Sequence, residues 1–277
     1  MPTQVSALII TGYGTNCETE CEYAARKGGA DNTKIIHFSE LLTGQACLLE
    51  HNFLIFPGGF LDGDDLGAAQ AAAQRWQHAK DAEGKPLLDQ LKLFLQRGGL
   101  AIGICNGFQL MVKLGLLPGL PDSTGKADDS LGFERQSSLT HNASARYEDR
   151  WCHLKVNPKS PCVFTKGLDL LYFPVRHGEG LFVPKDEAML ERIRENNLIA
   201  LQYAHPENGL PTQEYPFNPN GSPLGIAGIC DPSGRIFGLM PHPEALNHPT
   251  NHPGWTRGEA MTLGIALFTN GVNYLRQ

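Results

Sequence analysis

Four short apolar runs, separated by helical patterns, set the tightest limit on how this chain can fold. The runs cover residues 5–11, 34–38, 53–56 and 100–104 and read as strands. Helical patterns fill 15–27, stopped by Gly28-Gly29, then an Ala-rich 65–79, then 86–97 opened by Pro86, and a further helix starting at Asn106. Apolar runs this short suit central strands covered on both faces, and parallel neighbours need a helix to cross between them. The first 120 residues therefore read as βαβ units of an open, mostly parallel, doubly wound α/β sheet.

Past Leu117 the rhythm changes. Residues 118–130 read as loop, 137–156 as extended segments with polar interruptions, 170–175 and 198–204 as strands, and 187–195 as a surface helix. Residues 224–230 and 235–240, joined by Asp231-Pro232-Ser233-Gly234, read as a hairpin, and 256–275 as a closing helix. These segments predict an antiparallel extension of the sheet. Without a repeat or a convincing linker, residues 1–277 are expected to form one domain.

Composition narrows the function. Across 277 residues, 23 Lys+Arg stand against 29 Asp+Glu, a formal charge of −6. That balance leaves no basic excess to hold phosphates, which argues against a general nucleic-acid or anionic-membrane binder. No apolar run approaches the roughly 18 residues a bilayer span requires. The start, Met1-Pro2-Thr3-Gln4, lacks a basic leader segment, so a cytoplasmic location is expected. Seven scattered cysteines make an odd set without repeated spacing, which reads as reduced thiols, most of them small buried hydrophobes. Cys17 and Cys21 would lie one helical turn apart, but no second pair completes a zinc site.

One cysteine needs a different explanation. In Gly103-Ile104-Cys105-Asn106-Gly107-Phe108-Gln109 it sits between a strand and a helix, with glycines two residues either side. Such glycines permit a sharp turn that exposes a nucleophile, the helix N-terminus favours its thiolate, and the Asn106 N–H can bind an oxyanion. A buried cysteine in a glycine-rich turn is the plainer reading. Among ten histidines, His242 stands out: Pro241-His242-Pro243-Glu244 follows a strand, and in an extended segment Glu244 would share its face and orient the ring. His242, His248 and His252 could instead bind metal, although the repeated prolines prevent a helical ligand face. Phe56-Pro57-Gly58-Gly59-Phe60 is either a plain strand-ending turn or a second source of oxyanion-binding N–H groups. All three features fall at strand carboxyl ends, where open α/β sheets build sites.

The elbow and the Pro-His-Pro-Glu segment resemble the class I, triad-type glutamine amidotransferases. Further motifs resemble one branch, the glutaminase component of phosphoribosylformylglycinamidine synthase. They are Gly12-Tyr13-Gly14-Thr15-Asn16-Cys17-Glu18, Gly58-Gly59-Phe60 with Gly63-Asp64-Asp65-Leu66, Asn142-Ala143-Ser144-Ala145-Arg146-Tyr147-Glu148, His177-Gly178-Glu179-Gly180 and Asn218-Pro219-Asn220-Gly221-Ser222. The resemblance implies glutamine hydrolysis through a thioester on Cys105, with His242 moving the proton and Glu244 supporting it. It implies an oxyanion hole at Gly59 and Asn106, and glutamine contacts at Gln109, His177 and Gly178. No metal or cofactor is expected in this chain; ATP and Mg²⁺ would act on a separate synthetase that receives the ammonia, with a small accessory subunit as a further partner. Arg146 and Glu148 read either as a surface ion pair or, from their place in the motif, as a docking or structural element. Two departures from the branch, Leu61-Asp62 in place of Ser-Tyr and Ala245 in place of a basic residue, fall at expected rim positions. The rival readings are the glutaminase of another amidotransferase and a stand-alone Cys/His hydrolase.

Overall fold

The computed structural model describes residues 3–121, 134–258 and 261–277. In chain order its elements are β1 (Ser6–Thr11), α1 (Glu18–Lys27), β2 (Asn32–His37), α2 (Phe38–Leu42), β3 (Phe53–Phe56), α3 (Gln70–His78), α4 (Leu87–Gln96), β4 (Leu100–Ile104) and α5 (Asn106–Lys113). There follow β5 (Ser137–Thr140), β6 (Glu148–Val156), β7 (Leu170–His177), β8 (Leu181–Pro184), α6 (Glu187–Glu195), β9 (Ile199–Tyr203), β10 (Ile226–Cys230), β11 (Ile236–Leu239) and α7 (Ile265–Leu275). Nine strands form one sheet in the order β2-β1-β3-β4-β11-β10-β9-β6-β7, while β5 and β8 pair separately. Pairing is parallel from β2 through β11 and antiparallel from β11 to β7, so the expected parallel core and antiparallel extension are both present.

The central strands explain their own position. Every residue of β3, β4 and β11 is buried, as continuous apolar runs require when helices cover both faces. Helix α1 packs against α7, and α3 packs against both α4 and α5. The Trp76 ring meets Phe38 and Phe56 edge-on, at centroid distances of 5.1 and 5.8 Å, and locks α3 onto β3.

Several boundaries differ from the sequence reading. Helix α1 begins at Glu18 instead of residue 15, because Thr15 pairs with Gly59 in an isolated bridge. Helix α3 begins at Gln70 instead of residue 65, since Gly67 (φ 97°) and Ala69 (φ 57°) are left-handed and break the pattern. The closing helix starts at Ile265; Trp255–Arg257 forms a separate 3₁₀ turn ended by left-handed Gly258. Strand β8 and helix α2 were not foreseen, being four and five residues long. Of the loop read over 118–130, residues 122–130 lie outside the described residues.

The tightest contact in the parallel core is between α5 and β3. A Cβ added to Gly107 would lie 1.9 Å from the carbonyl oxygen of Phe56. Gly107→Ala should therefore destabilise the chain by about 3 kcal/mol in urea unfolding, with no loss of buried apolar area to blame. A change below about 1 kcal/mol would mean that α5 can move off the sheet at little cost.

Candidate active site

Strands β1, β3, β4 and β11 run parallel, so the loops leaving their carboxyl ends meet at one edge of the sheet. Cys105 ends β4 and caps α5 with φ 50° and ψ −103°, a backbone region that residues bearing a Cβ rarely occupy. Here the structure corrects the sequence reading. Neither Gly103 nor Gly107 has a positive φ, so the strain is carried by the cysteine itself. The glycines serve close packing: a Cβ on Gly103 would lie 2.7 Å from the backbone of Gly107, and one on Gly107 would strike Phe56. The turn carries Cys105 Sγ to 3.6 Å from the carbonyl oxygen of Arg176.

Gly59, after β3, has φ 134°. Asn16 N–H donates to the Gly58 carbonyl at 3.3 Å and Phe60 N–H to the Gly14 carbonyl at 2.8 Å. That register leaves Gly59 N–H without an acceptor among the described residues. Asn106 N–H opens α5 and so lies outside the helix's own hydrogen-bond ladder. The Asn106 side chain joins the two loops by accepting Leu61 N–H at 3.0 Å. Gly58 is needed for a different reason: a Cβ there would lie 2.8 Å from His242 Cε1.

His242 follows β11, and its own N–H donates to the Pro174 carbonyl at 2.8 Å. Pro243 opens a single 3₁₀ turn, Pro243–Ala245, that brings Glu244 Oε1 to 2.6 Å from His242 Nδ1. The contact expected from an extended segment is present, but a tight turn makes it. Burial disfavours the imidazolium, yet the Glu244 carboxylate, followed by the Cys105 and Cys17 thiols, outweighs that penalty. Together they hold the ring's pKa well above 6.5. An imidazole that favours its charged form is suited to receiving a thiol proton.

A cavity of about 680 Å³ opens onto these groups, lined by Cys105, Gly59, His242 and Glu244 together with Cys17, Tyr147 and Arg176. The last three went unnoticed as site residues. Cys17 could have been found by the rule that found the others, since its motif follows β1, and Tyr147 lies in the Asn142–Glu148 motif; Arg176 arrives from the antiparallel extension and carried no signal.

The remaining candidates stand behind the cavity wall. Gln109 is buried, donating through Nε2 to the Glu179 carbonyl at 2.6 Å and accepting from Asn106 Nδ2 at 2.9 Å. It fastens the elbow helix to the His177-Gly178-Glu179-Gly180 segment. Asn142 fastens the same segment from the other side: its amide meets His177 Nδ1 at 3.0 Å, accepts Gly180 N–H at 2.9 Å and donates to the His177 carbonyl at 2.8 Å, and its N–H donates to the Gly178 carbonyl at 2.9 Å. Of the two readings of Arg146 and Glu148 the surface ion pair is not formed: buried Glu148 pairs with Arg150 and accepts Ser144 Oγ at 2.6 Å, a structural role, while Arg146 is exposed. His248 and His252 hold local turns, through Thr250 Oγ1 at 2.8 Å and Gly254 N–H at 2.9 Å.

Fold and cavity define an α/β protein whose chemistry gathers around a cysteine at the carboxyl edge of a parallel sheet. The chain belongs to the CobB/CobQ-like glutamine amidotransferase domain family, which it matches over residues 4–275. Curated relatives carry a more specific name, phosphoribosylformylglycinamidine synthase subunit PurQ. The one from Methanococcus maripaludis strain C5 is 44% identical over 98% of both chains, and that from Dehalococcoides mccartyi 41% identical over 99% of both. Among solved structures, a chain of PurLQS from Thermotoga maritima shares the fold with a TM-score of 0.68 and 24% identity, covering 99% of this chain and all of that one.

Burial gives His177 a measurable signature. It pushes the imidazole pKa down to about 3. Below pH 6.5 the unfolded chain binds a proton that the native ring refuses, so stability falls as pH drops, by up to about 1.4 kcal/mol per unit. His242, raised in the native state, adds a slope of the opposite sign while the unfolded ring titrates near pH 6.5, and that contribution is the same with and without His177. Urea titrations between pH 6.5 and about 5 should show stability falling more steeply with acid in the native sequence than in His177→Gln; equal slopes would contradict the buried neutral ring.

Proposed function

We propose that this chain is the glutaminase subunit of a phosphoribosylformylglycinamidine synthase. It hydrolyses the side-chain amide of glutamine and supplies ammonia to a separate ATP-dependent synthetase, which converts formylglycinamide ribonucleotide to the amidine in purine biosynthesis. One observation carries the reading: a chain similar over nearly its whole length to subunits of that name holds Cys105, Gly59 and the His242–Glu244 pair in one cavity. Neither rival reading, another amidotransferase or a stand-alone hydrolase, is favoured by such relatives.

In this proposal Cys105 Sγ attacks the carboxamide carbon while His242 takes the thiol proton. The oxyanion rests on the N–H groups of Gly59 and Asn106, which the Asn106–Leu61 hydrogen bond holds in register. His242 then protonates the departing ammonia, and water, deprotonated by the same ring, releases glutamate from the thioester. Glu244 stabilises the imidazolium formed at each step. The His177-Gly178 segment does not itself line the cavity; braced by Gln109 and Asn142, it supports from behind the wall on which the amino-acid end of glutamine rests. This chain needs no cofactor for those steps; ATP and Mg²⁺ act on the synthetase, and a small accessory subunit completes the assembly. The seven free thiols are consistent with work in the cytoplasm.

Reconstitution with the synthetase tests the reading. A complex carrying Cys105→Ala should make no amidine from glutamine yet form it from ammonium salt. Equal activity with glutamine would refute the assignment. His242→Ala should reduce glutamine-dependent turnover by about 10⁴-fold or more, and Glu244→Ala roughly ten- to hundred-fold less severely. The reverse order would mean that Glu244 has a role other than supporting the ring.

A further inference from the structure

Cys17 meets His242 at the ring nitrogen that Glu244 also holds: Cys17 Sγ is 3.9 Å from His242 Nδ1, and Glu244 Oε1 is 2.6 Å from it. Among the described residues, the thiol, the imidazole and the carboxylate form a cluster whose donor atoms all lie within 4.8 Å of one another. A second observation is independent of that spacing: Glu244 Oε2 is fully buried and has no hydrogen-bond donor. A buried carboxylate oxygen without a partner is costly and calls for a proton or a cation.

We propose that Cys17, His242 Nδ1 and Glu244 form a binding site for a borderline-soft divalent cation, Zn²⁺ by its donor chemistry, that switches off the glutaminase without touching Cys105. Thiolate, imidazole and carboxylate are a zinc donor set. With bonds of about 2.3 Å to sulfur and 2.0 Å to nitrogen, a gap of 3.9 Å corresponds to an angle of roughly 130°, and a closure of about 0.4 Å makes it tetrahedral. The Nδ1–Oε1 separation of 2.6 Å is shorter than the ~3.3 Å of a tetrahedral pair, so the carboxylate turns and presents Oε2. Cys17 and Glu244 both line the cavity, which gives the ion a path from solvent and leaves the fourth position to water.

The protons balance as follows. Bonds form from the metal to Sγ, Nδ1 and Oε2, and the Cys17 thiol proton passes to solvent. A neutral ring moves its Nδ1 proton to Nε2; an imidazolium releases its Nδ1 proton to solvent and keeps the other. Either way Nε2 carries hydrogen and can no longer accept the proton of Cys105. Inhibition therefore arises through the ring and not through a bond to the nucleophile. The binding claim stands apart from the proposed function, and only its effect on turnover rests on that reading.

Equilibrium dialysis with Zn²⁺ and absorption spectra with Co²⁺ test the site on the full chain. The native protein and Cys105→Ala should each bind one Zn²⁺ with similar affinity and, loaded with Co²⁺, show the same thiolate-to-metal charge-transfer band. Cys17→Ser should lose the band and bind Zn²⁺ at least roughly 100-fold more weakly. Binding or a band that survives Cys17→Ser but vanishes in Cys105→Ala would place the metal on the nucleophile and overturn the proposal. So would absence of the band from both the native protein and Cys105→Ala, an outcome that does not depend on how Cys17→Ser folds. Glutaminase assays of the native chain in the assembled complex should show inhibition by Zn²⁺ that a chelator reverses.

Discussion

A helix can begin one residue after a buried strand only if the two backbones come almost into contact, and the rest of this site depends on that approach. Gly107 lies against Phe56 and Gly103 against Gly107, at distances that exclude a side chain on either. The close packing holds Cys105 in a left-handed conformation at a cost of order 1–3 kcal/mol, which the surrounding core opposes by leaving the backbone no room to relax. The reward is positional. A residue so constrained cannot turn its side chain back into the sheet, and the first N–H of α5 is left facing outward beside it.

From the elbow, rigidity spreads sideways through buried polar groups. Asn106 holds the loop after β3, and Gln109 holds the segment after β7. Glu179 accepts Ala68 N–H at 3.2 Å while buried Lys113 donates to the Ala68 carbonyl, so both the helix and the segment grip the loop that follows Gly59. Burial lowers the Lys113 pKa and raises that of Asp64, with Glu179 pulling the lysine back up and pushing Asp64 further. A buried lysine and two half-buried acidic groups in one cluster make each wall depend on the other two.

His242 works under two opposed influences. Complete burial favours the neutral ring, whereas a carboxylate on one side and thiols around it favour the cation, and the cation prevails. The same imidazole is therefore shared between two thiols, Cys105 and Cys17, both close to Gly58, where a Cβ would lie 3.5 Å from Cys105 Cβ and 3.5 Å from Cys17 Sγ. A glycine at 58 keeps all three side chains around one point.

The sequence alone determined the parallel core and the chemistry at its edge. Strand runs, helix stops and the Gly-x-Cys-x-Gly elbow are local patterns, and the rule that open sheets place sites at strand carboxyl ends made Cys105, Gly59 and His242 neighbours before any coordinates. It placed the Glu244 contact correctly through the wrong backbone, extended where a 3₁₀ turn occurs, because a two-residue separation brings side chains together in either form. Only the tertiary structure decided what covers the site. Strand β7 lies at the sheet's outer edge, several strands from β4, yet Pro174 receives the His242 N–H and Arg176 touches Cys105. It decided, too, that Glu148 pairs with Arg150 and that Asn142 binds His177 from 35 residues away. Period and turn chemistry report on neighbours a few positions apart; contacts across a curled antiparallel sheet depend on how its strands twist and stack, which no local pattern encodes.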